Sequence, residues 1–418
     1  MHRRRTVLAL ALVAGLVAAA CSNSGSPTLT PVDDGATGQS TPTPEQTDTP
    51  TPEPTVEPTT APTTAPPTTP TTLIPQIPGM PPVADLANIY SETAAGMIST
   101  AIADVPAYVY VPTNVAGTVT VIDQETFEIV EVFQIGGELI QHVVPSWDLT
   151  TLYASASGTN RLVPFDPTTG RPTGDEIRVD APYNLYFTPD GAKAVVMAER
   201  LNRIDYYDPA TWELLSSVPT PCDGPNHADW SVDGTFFIVT CEFSGQMARV
   251  DTLTGEIIDV LDLDAGARPQ DVRLGPDGST FYVADLAAGS LILIDAATFT
   301  VSGTIPTGAG THSVYPSRDG TRLYVANRNA GTVSVVDPST NTVVDEWVIP
   351  GGGSPDMGGV SADGSTFWLA GRNHDEVYAF DTATGELRAR IPVPGEPHGL
   401  AVYPQPGRYS MGHTGNYR

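Results

Sequence analysis

A seven-fold repeat restricts the fold of this sequence more than any other feature. Each copy is a short run of alternating apolar and polar residues that ends in an Asp. Neighbouring copies are separated by 42 to 44 residues, and the Asp residues are Asp123, Asp166, Asp208, Asp251, Asp295, Asp337 and Asp381. Such alternation is typical of β-strands. Several short strands per unit, with a period near 40 residues, predict an all-β, seven-bladed β-propeller.

Each repeat predicts four antiparallel strands, the innermost of which turns back at a sequence such as Pro276-Asp277-Gly278. The last inner strand, within "PHGLAVYP", has no further strands after it, whereas the unit that begins at Ala107 lacks an inner strand. We therefore predict that residues 398–404 complete the first blade. This closure would leave no open edge between the first and last blades.

Three segments of the repeat carry a family resemblance. The stretches "YVYVPTNVAGTVTVID", "FYVADLAAGSLILID" and "LYVANRNAGTVSVVD" resemble the YVTN or YncE-type β-propeller repeat of bacterial and archaeal surface proteins. The likeness covers residues 107–404. It implies a propeller fold, and it leaves the activity open, because that family includes surface-layer proteins as well as lactonase-like relatives.

The first 20 residues are typical of a secretory signal peptide, with three arginines followed by an apolar run and small residues. Cys21 directly follows three alanines, as in a bacterial lipobox. This resemblance implies that Cys21 is lipidated and anchors the protein to the outer face of the bacterial cell membrane. A plain secreted protein is the alternative. Arg4-Arg5 also leaves open whether export is by the general or the twin-arginine route.

The composition divides the remainder into four segments. Residues 21–82 are rich in Pro and Thr and predict a disordered stalk, because they contain little that could be buried. Residues 83–106 form a segment before the propeller, residues 107–404 form the propeller, and residues 405–418 form a C-terminal tail. The threonines of the stalk are candidate glycosylation sites.

The charge limits the partners. The net charge is −28 and Lys193 is the single lysine, so we expect no binding of nucleic acid. We expect a monomer that meets the membrane through its lipid anchor and that has a cell-wall component or another protein as its partner.

Two cysteines follow Cys21. Cys222 lies just before a predicted inner strand, and Cys241 lies at the end of the antiparallel strand beside it. Both should therefore lie at one end of the same blade, close enough for a disulfide, which the oxidising compartment would preserve. A soft-metal site that combines the two thiols with His227 and Glu242 is the alternative.

The start of each inner strand gives one residue to the channel mouth. These ring residues are His142, Asn184, His227, Asp271, His312, Asp356 and His398. Arg328 and Arg372 follow second strands, which places them on the same face. Imidazoles are common metal ligands, so His142, His227, His312 and His398 form a candidate metal site. The tail around His413 is expected on the opposite face.

These residues leave three functions open. The first is a cell-surface binding or scaffold module, in which the ring residues are hydrated and bonded to neighbouring blades. The second is a lactonase-like or lyase-like enzyme that uses a His base and the arginines. The third is an extracytoplasmic accessory protein that binds a transition metal. No motif requires a cofactor, and a transition metal is the only candidate.

Overall fold

The computed structural model describes residues 75–413 and 415–418. The signal peptide, Cys21 and residues 21–74 of the expected stalk lie outside the described residues. Five short 3-10 helices are present in the described part, and they span Ser91–Thr93, Thr100–Ile102, Ser157–Thr159, Glu199–Leu201 and Arg372–His374. No helix among the described residues is both long and apolar enough to cross a lipid bilayer.

The described residues contain 29 strands. In chain order they are β1 (Tyr108–Pro112), β2 (Thr118–Asp123), β3 (Ile129–Gln134), β4 (Ile140–Pro145), β5 (Leu152–Ala156), β6 (Arg161–Asp166), β7 (Arg171–Pro172), β8 (Ile177–Arg178), β9 (Asn184–Phe187), β10 (Ala194–Ala198), β11 (Arg203–Tyr207), β12 (Leu214–Pro219), β13 (Pro225–Trp230), β14 (Phe236–Cys241), β15 (Gln246–Asp251), β16 (Ile257–Asp262), β17 (Pro269–Leu274), β18 (Thr280–Asp285), β19 (Ser290–Asp295), β20 (Thr300–Pro306), β21 (Thr311–Pro316), β22 (Leu323–Asn327), β23 (Thr332–Asp337), β24 (Thr342–Val348), β25 (Pro355–Val360), β26 (Thr366–Gly371), β27 (Glu376–Asp381), β28 (Leu387–Pro392) and β29 (Ala401–Tyr403).

These strands form seven antiparallel sheets, so the predicted all-β, seven-bladed propeller is confirmed. The sheet orders are β29-β1-β2-β3, β4-β5-β6-β7 with β8 also paired to β6, β9 to β12, β13 to β16, β17 to β20, β21 to β24 and β25 to β28. We number them blades 1 to 7 in that order. The apolar core lies between neighbouring blades: Val121 of blade 1 and Val143 of blade 2, for example, belong to one buried cluster. The outer strands are largely exposed.

The repeated Asp closes the turn that follows the third strand of the blade. Asp123 accepts hydrogen bonds from the backbone N–H groups of Glu125 and Thr126 at 2.9 and 2.8 Å. Asp295 does the same for Ala297 and Thr298 at 3.1 and 2.8 Å. An Asp carboxylate that bonds the amides of its own turn fixes the reversal of the chain. The repeat that identified the fold therefore has a local structural cause.

The two ends of the propeller meet in blade 1. Strand β29 pairs antiparallel with β1, with Tyr403 opposite Tyr108 and Ala401 opposite Tyr110. The regular strand is shorter than the sequence suggested, because before residue 401 only isolated bridges continue the contact, such as that between Pro397 and Thr113. An inner strand from the C-terminal end of the chain thus lies beside the strand that begins the propeller.

The propeller has two different faces. At the ring face the inner strands begin, and at the turn face they connect to the second strands. Residues 75–106 run across the turn face. There the N–H of Ile77 donates to the carbonyl of Asp233 at 3.2 Å, and that of Ile89 donates to Pro276 at 2.8 Å. Ile77 is buried, so the part of the chain packed on the propeller includes residues that the composition had assigned to the stalk.

The predicted disulfide between Cys222 and Cys241 is present, with the two Cα atoms 5.9 Å apart. Cys241 ends β14 and is paired with Pro225 of β13, so the bond joins the ring-face end of blade 4 to the loop before it. Both cysteines are buried. The alternative soft-metal site, which needs two thiolates, does not form in this disulfide-bonded structure.

Candidate metal centre in the propeller channel

Six of the seven ring residues are among the first three residues of an inner strand, and His398 lies three residues before β29. Each of the seven is at most 1% exposed. In five blades a β-bulge interrupts the pairing at the ring position, as between Ile140 and Val143 around His142. A bulge turns one side chain out of the regular alternation. In these five blades the ring side chain therefore projects into the channel from a bulge.

The structure divides the ring residues into two groups, which we call the imidazole cluster and the Asp356 cluster. The imidazole cluster contains His142, His227 and Asp271 from the ring, together with His413 from the C-terminal tail. The Asp356 cluster contains Asp356, His312 and His398 from the ring. Asn184 lies beside the first group, because its amide nitrogen is 3.1 Å from Nδ1 of His227. The four histidines of the metal set predicted from the sequence are divided between the two groups, but His142 connects them, because its ring centroid is 4.9 Å from that of His398 and 5.3 Å from that of His227.

His413 is the member of the imidazole cluster that the sequence did not predict. The tail leaves β29 at the turn face, as expected, but the expectation that His413 itself lies at that face is wrong. Its ring centroid is 4.9 Å from that of His142 and 4.8 Å from that of His227. Its Nε2 is 3.8 Å from Oδ1 of Asp271. The tail thus places an imidazole in the channel from the turn face.

The donor atoms of this cluster are close enough to share one ion. Single donor atoms of His227, Asp271 and His413 all lie within 4.8 Å of one another. Two ligands of a tetrahedral zinc ion, each about 2.0–2.1 Å from the metal, are about 3.3 Å apart. Small side-chain rotations would therefore bring the three donors onto one ion. The ring of His142, whose centroid is 5.3 Å from that of His227, can add a fourth.

Most of the imidazole nitrogens in this cluster have no other partner. Among residues 75–413 and 415–418, no hydrogen bond is made by either ring nitrogen of His142, by either ring nitrogen of His413 or by Nε2 of His227. Burial, with the neighbouring imidazoles or Arg273 as further causes, holds the pKa of each of these three histidines well below its usual value. The rings are therefore neutral at pH 7, which is the form that binds metals.

Asp271 supplies the carboxylate of the cluster. Burial raises its pKa to about 6, while Arg273 and the backbone N–H groups of Val314 and Val272 oppose that rise. Those N–H groups donate to its oxygens at 3.1 and 2.9 Å. A carboxylate held in this way has a fixed orientation, which is the support that metal ligands usually receive from their surroundings.

The Asp356 cluster is internally paired. Nδ1 of His312 and Nδ1 of His398 lie 2.8 and 2.7 Å from the two oxygens of Asp356. Nε of Arg328 donates to the same carboxylate at 2.9 Å, and Arg372 lies 4.0 Å from it. Although burial opposes ionisation, Arg328, His312 and His398 hold the pKa of Asp356 well below its usual value. These groups stabilise one another and leave few lone pairs for an ion.

Tyr183 covers the imidazole cluster at the ring face. Its ring centroid is 5.2 Å from that of His142 and 5.7 Å from that of His227, and its hydroxyl is 3.3 Å from Nε2 of His398. Above it, Glu199 and Glu242 form an acidic pair near the mouth. Burial and the charge of Glu242 raise the pKa of Glu199 to about 7. Glu242 also pairs with Arg268, and Arg328 and Arg372 lie at the same face, so the mouth carries charges of both signs.

The fold and the channel define the class of this protein as a closed, seven-bladed propeller with a histidine-lined axis. A family model described as "YNCE-like beta-propeller" matches residues 80–407. The chain therefore belongs to the YncE-like β-propeller family, as the repeat predicted. A comparison with curated proteins found no match.

Solved structures show the same fold at low sequence identity. A functionally unknown protein from Desulfotomaculum acetoxidans is 17% identical with a TM-score of 0.60, and the match covers 71% of this chain and 98% of that one. A candidate 6-phosphogluconolactonase from Bacteroides fragilis is 18% identical, with a TM-score of 0.58 and coverage of 73% and 99%. Apo AztD from Citrobacter koseri is 12% identical, with a TM-score of 0.56 and coverage of 75% and 99%. At these identities the likeness concerns the fold alone.

Proposed function

We propose that this protein is an extracytoplasmic, lipid-anchored binding module that holds one divalent transition-metal ion in its channel. The observation that carries the proposal is the imidazole cluster: donor atoms of His227, His413 and Asp271 lie within 4.8 Å of one another, and the ring of His142 packs against both other histidines. In the part of the chain that the structure describes, five imidazole nitrogens of this buried cluster have no hydrogen-bond partner. Buried polar groups are normally paired. Imidazole with one carboxylate suits zinc, copper, nickel or iron better than magnesium or calcium.

The lipid anchor and the surface location rest on the N-terminal sequence, with Cys21 after a short apolar run. The acidic surface suits this role, because a net charge of −28 raises the local concentration of cations. The partner that delivers or receives the ion, whether a cell-wall component or a protein, is left open by this proposal.

The metal content of the purified full chain tests the proposal. We expect one equivalent of a transition metal after equilibration with zinc and desalting. His142→Ala combined with His227→Ala should weaken zinc binding by at least about 100-fold, because even the loss of a supporting residue around a metal site costs about 10- to 100-fold. His374→Ala removes an exposed imidazole and is the matched control. A full chain that takes up no metal, or a double variant that binds zinc like the wild type, would contradict the proposal.

One observation favours a second candidate function, a lactonase-like or lyase-like enzyme. Asp356 accepts from Nδ1 of His398, which leaves Nε2 as the basic nitrogen, and this atom faces the hydroxyl of Tyr183. A carboxylate that orients a histidine is a common arrangement for a general base. Arg372, with 26% of its side chain exposed, could hold a substrate carboxylate. Lactone and uronate turnover by the wild type, lost in His398→Gln, would support it.

A further inference from the structure

The C-terminal tail ends in a small β-hairpin, which we define as residues 408–413 and 415–418. The N–H of Met411 donates to the carbonyl of Asn416 at 2.8 Å, and the N–H of Arg418 donates to the carbonyl of Tyr409 at 3.2 Å. Ser410 and Tyr417 form a bridge between its two arms. His413 therefore lies at the tip of the hairpin, next to Gly412, which forms a single bridge to Tyr186 of β9.

The hairpin is docked from the turn face. The N–H of Ser410 donates to the carbonyl of Trp147 at 2.9 Å, and the amide of Asn416 donates to that of Ala228, also at 2.9 Å. Arg418 pairs with Asp229 at 3.4 Å. The hairpin also packs deeply: the N–H of Phe187 donates to the carbonyl of Met411 at 3.0 Å, and Tyr409 and Met411 belong to a buried apolar cluster with Trp230. It contributes no strand to the seven sheets described above, so its docking is distinct from the pairing of strands within the blades.

The hairpin carries buried polar atoms that have no partner among the described residues. Both ring nitrogens of His413, Oδ1 of Asn416 and the hydroxyl of Tyr417 make no hydrogen bond to any described residue. His413 is 1% exposed and Tyr417 is 2% exposed. Moving such groups from water into the channel is unfavourable unless they gain a partner. A metal ion bound to His413 would supply that partner.

We infer that metal binding and docking of the C-terminal hairpin stabilise each other, with His413 as the ligand that only the docked hairpin supplies. This inference rests on the proposed function. His142, His227 and Asp271 belong to the propeller and stay in place when the hairpin is undocked, so they form an incomplete site. With the hairpin docked, the ion is enclosed between His413 on one side and Tyr183 on the other. The hairpin is thus the part of the site that controls how long the ion stays bound.

Thermodynamic reciprocity makes the inference quantitative. The factor by which zinc favours the docked over the undocked hairpin must equal the factor by which docking increases the affinity for zinc. Hydrogen exchange of the full chain, followed by mass spectrometry with and without zinc, measures the first factor in peptides that cover residues 405–418. Competition with a zinc chelator measures the second, as the ratio between wild type and His413→Ala. We expect both factors to be about tenfold or more.

Matched variants separate the hairpin from the metal site. In His413→Ala, zinc should still bind, more weakly, but should no longer slow exchange in the hairpin. In Asn416→Ala, which loses a docking bond and keeps all four ligands, exchange should be faster and zinc should still slow it. If His413→Ala does not fold, His413→Gln retains a polar side chain of similar size. The inference is overturned if the folded His413 variant binds zinc as tightly as the wild type, or if zinc does not change hydrogen exchange in the hairpin. Neither result would contradict the metal site itself. A wild type that binds no metal overturns both.

Discussion

At the scale of single residues, Asp356 is the carboxylate around which the arginines and histidines of its cluster are arranged. It accepts from His398, lies 2.8 Å from Nδ1 of His312 and neutralises Arg328, whose side chain is only 15% exposed. The same residue was predicted only as one of seven similar ring positions. Asp271 also has two imidazoles and one guanidinium within 4 Å, at 3.6–3.9 Å. Asp356 differs in that its two imidazoles are closer, at 2.7 and 2.8 Å, and in that a second guanidinium, that of Arg372, lies nearby.

We predict that Asp356→Asn destabilises the fold strongly. The variant keeps the shape of the side chain, but it leaves the buried guanidinium of Arg328 without its carboxylate. Breaking a buried ion pair on one side costs about 3–5 kcal/mol. Urea unfolding of both proteins measures the free energy of unfolding. Glu386→Gln, at an exposed carboxylate, is the control and should change it by less than about 0.5 kcal/mol. Equal effects of the two substitutions would show that the Asp356 cluster contributes no stability.

The same cluster predicts loss of stability in acid. Burial, with Arg328 beside His312 and Arg372 beside His398, lowers the pKa of both histidines from 6.5 to about 4, although Asp356 opposes that shift. Between pH 6.5 and 4 the unfolded chain therefore binds protons that the folded chain does not. The free energy of unfolding must fall as the pH falls through this window, by up to about 3 kcal/mol per histidine.

Two buried carboxyl groups act in the opposite direction. The raised pKa values of Asp271, about 6, and Glu199, about 7, add stability at low pH that is lost as the pH rises. Five buried histidines outweigh two carboxyl groups, because the pKa values of His142, His227 and His413 are lowered as well. Metal-free protein should therefore be less stable at pH 5 than at pH 7 in urea unfolding. Equal stability at the two pH values would contradict this balance.

At the scale of secondary structure, the sequence predicted the blades well and the tail poorly. The aligned Asp and the Gly turns recur in each repeat, so the inner strands and their ring residues could be placed by counting. His413 lies outside the repeat, and no period predicts where its hairpin docks. The stretch "YSMGHTGNY" did carry a local signal, since glycines on both sides of His413 favour a tight turn. Its position in the channel depends on contacts with Trp147, Ala228 and Asp229, which are distant in sequence.

The pairing of β29 with β1 predicts unequal effects of two deletions. Removing residues 406–418 takes away the hairpin and leaves β29 in place. Removing residues 396–418 also takes away β29, which contains the buried residues Val402 and Tyr403, and exposes the inner edge of blade 1. We expect the larger deletion to lower the free energy of unfolding by several kcal/mol more than the smaller one. Thermal melts in a calorimeter measure the difference. Equal melting temperatures would mean that β29 contributes little to closure.

At the scale of the whole molecule, the predicted membrane attachment depends on Cys21, which lies outside the described residues. We expect Cys21→Ser to move the protein from the membrane fraction to the medium, because a lipid on Cys21 would be lost. Immunoblots of both fractions measure this shift. Ser22→Ala, which changes the next residue and keeps the thiol, is the control. A Cys21→Ser variant that remains in the membrane fraction would contradict the lipid anchor.

The pairing of the first and last strands of the propeller in blade 1 has a mechanical consequence. Tension applied at residue 75 would first detach the bonds of Ile77 and Ile89 one at a time, each at low force. It would then reach β1, which is hydrogen-bonded to β2 on one side and to β29 on the other. A pull along the axis of β1 loads those bonds in parallel, in shear. A propeller tethered by its N-terminal end would therefore yield in small early steps and resist opening until a much larger rupture force, a sequence that single-molecule pulling from residue 75 would reveal.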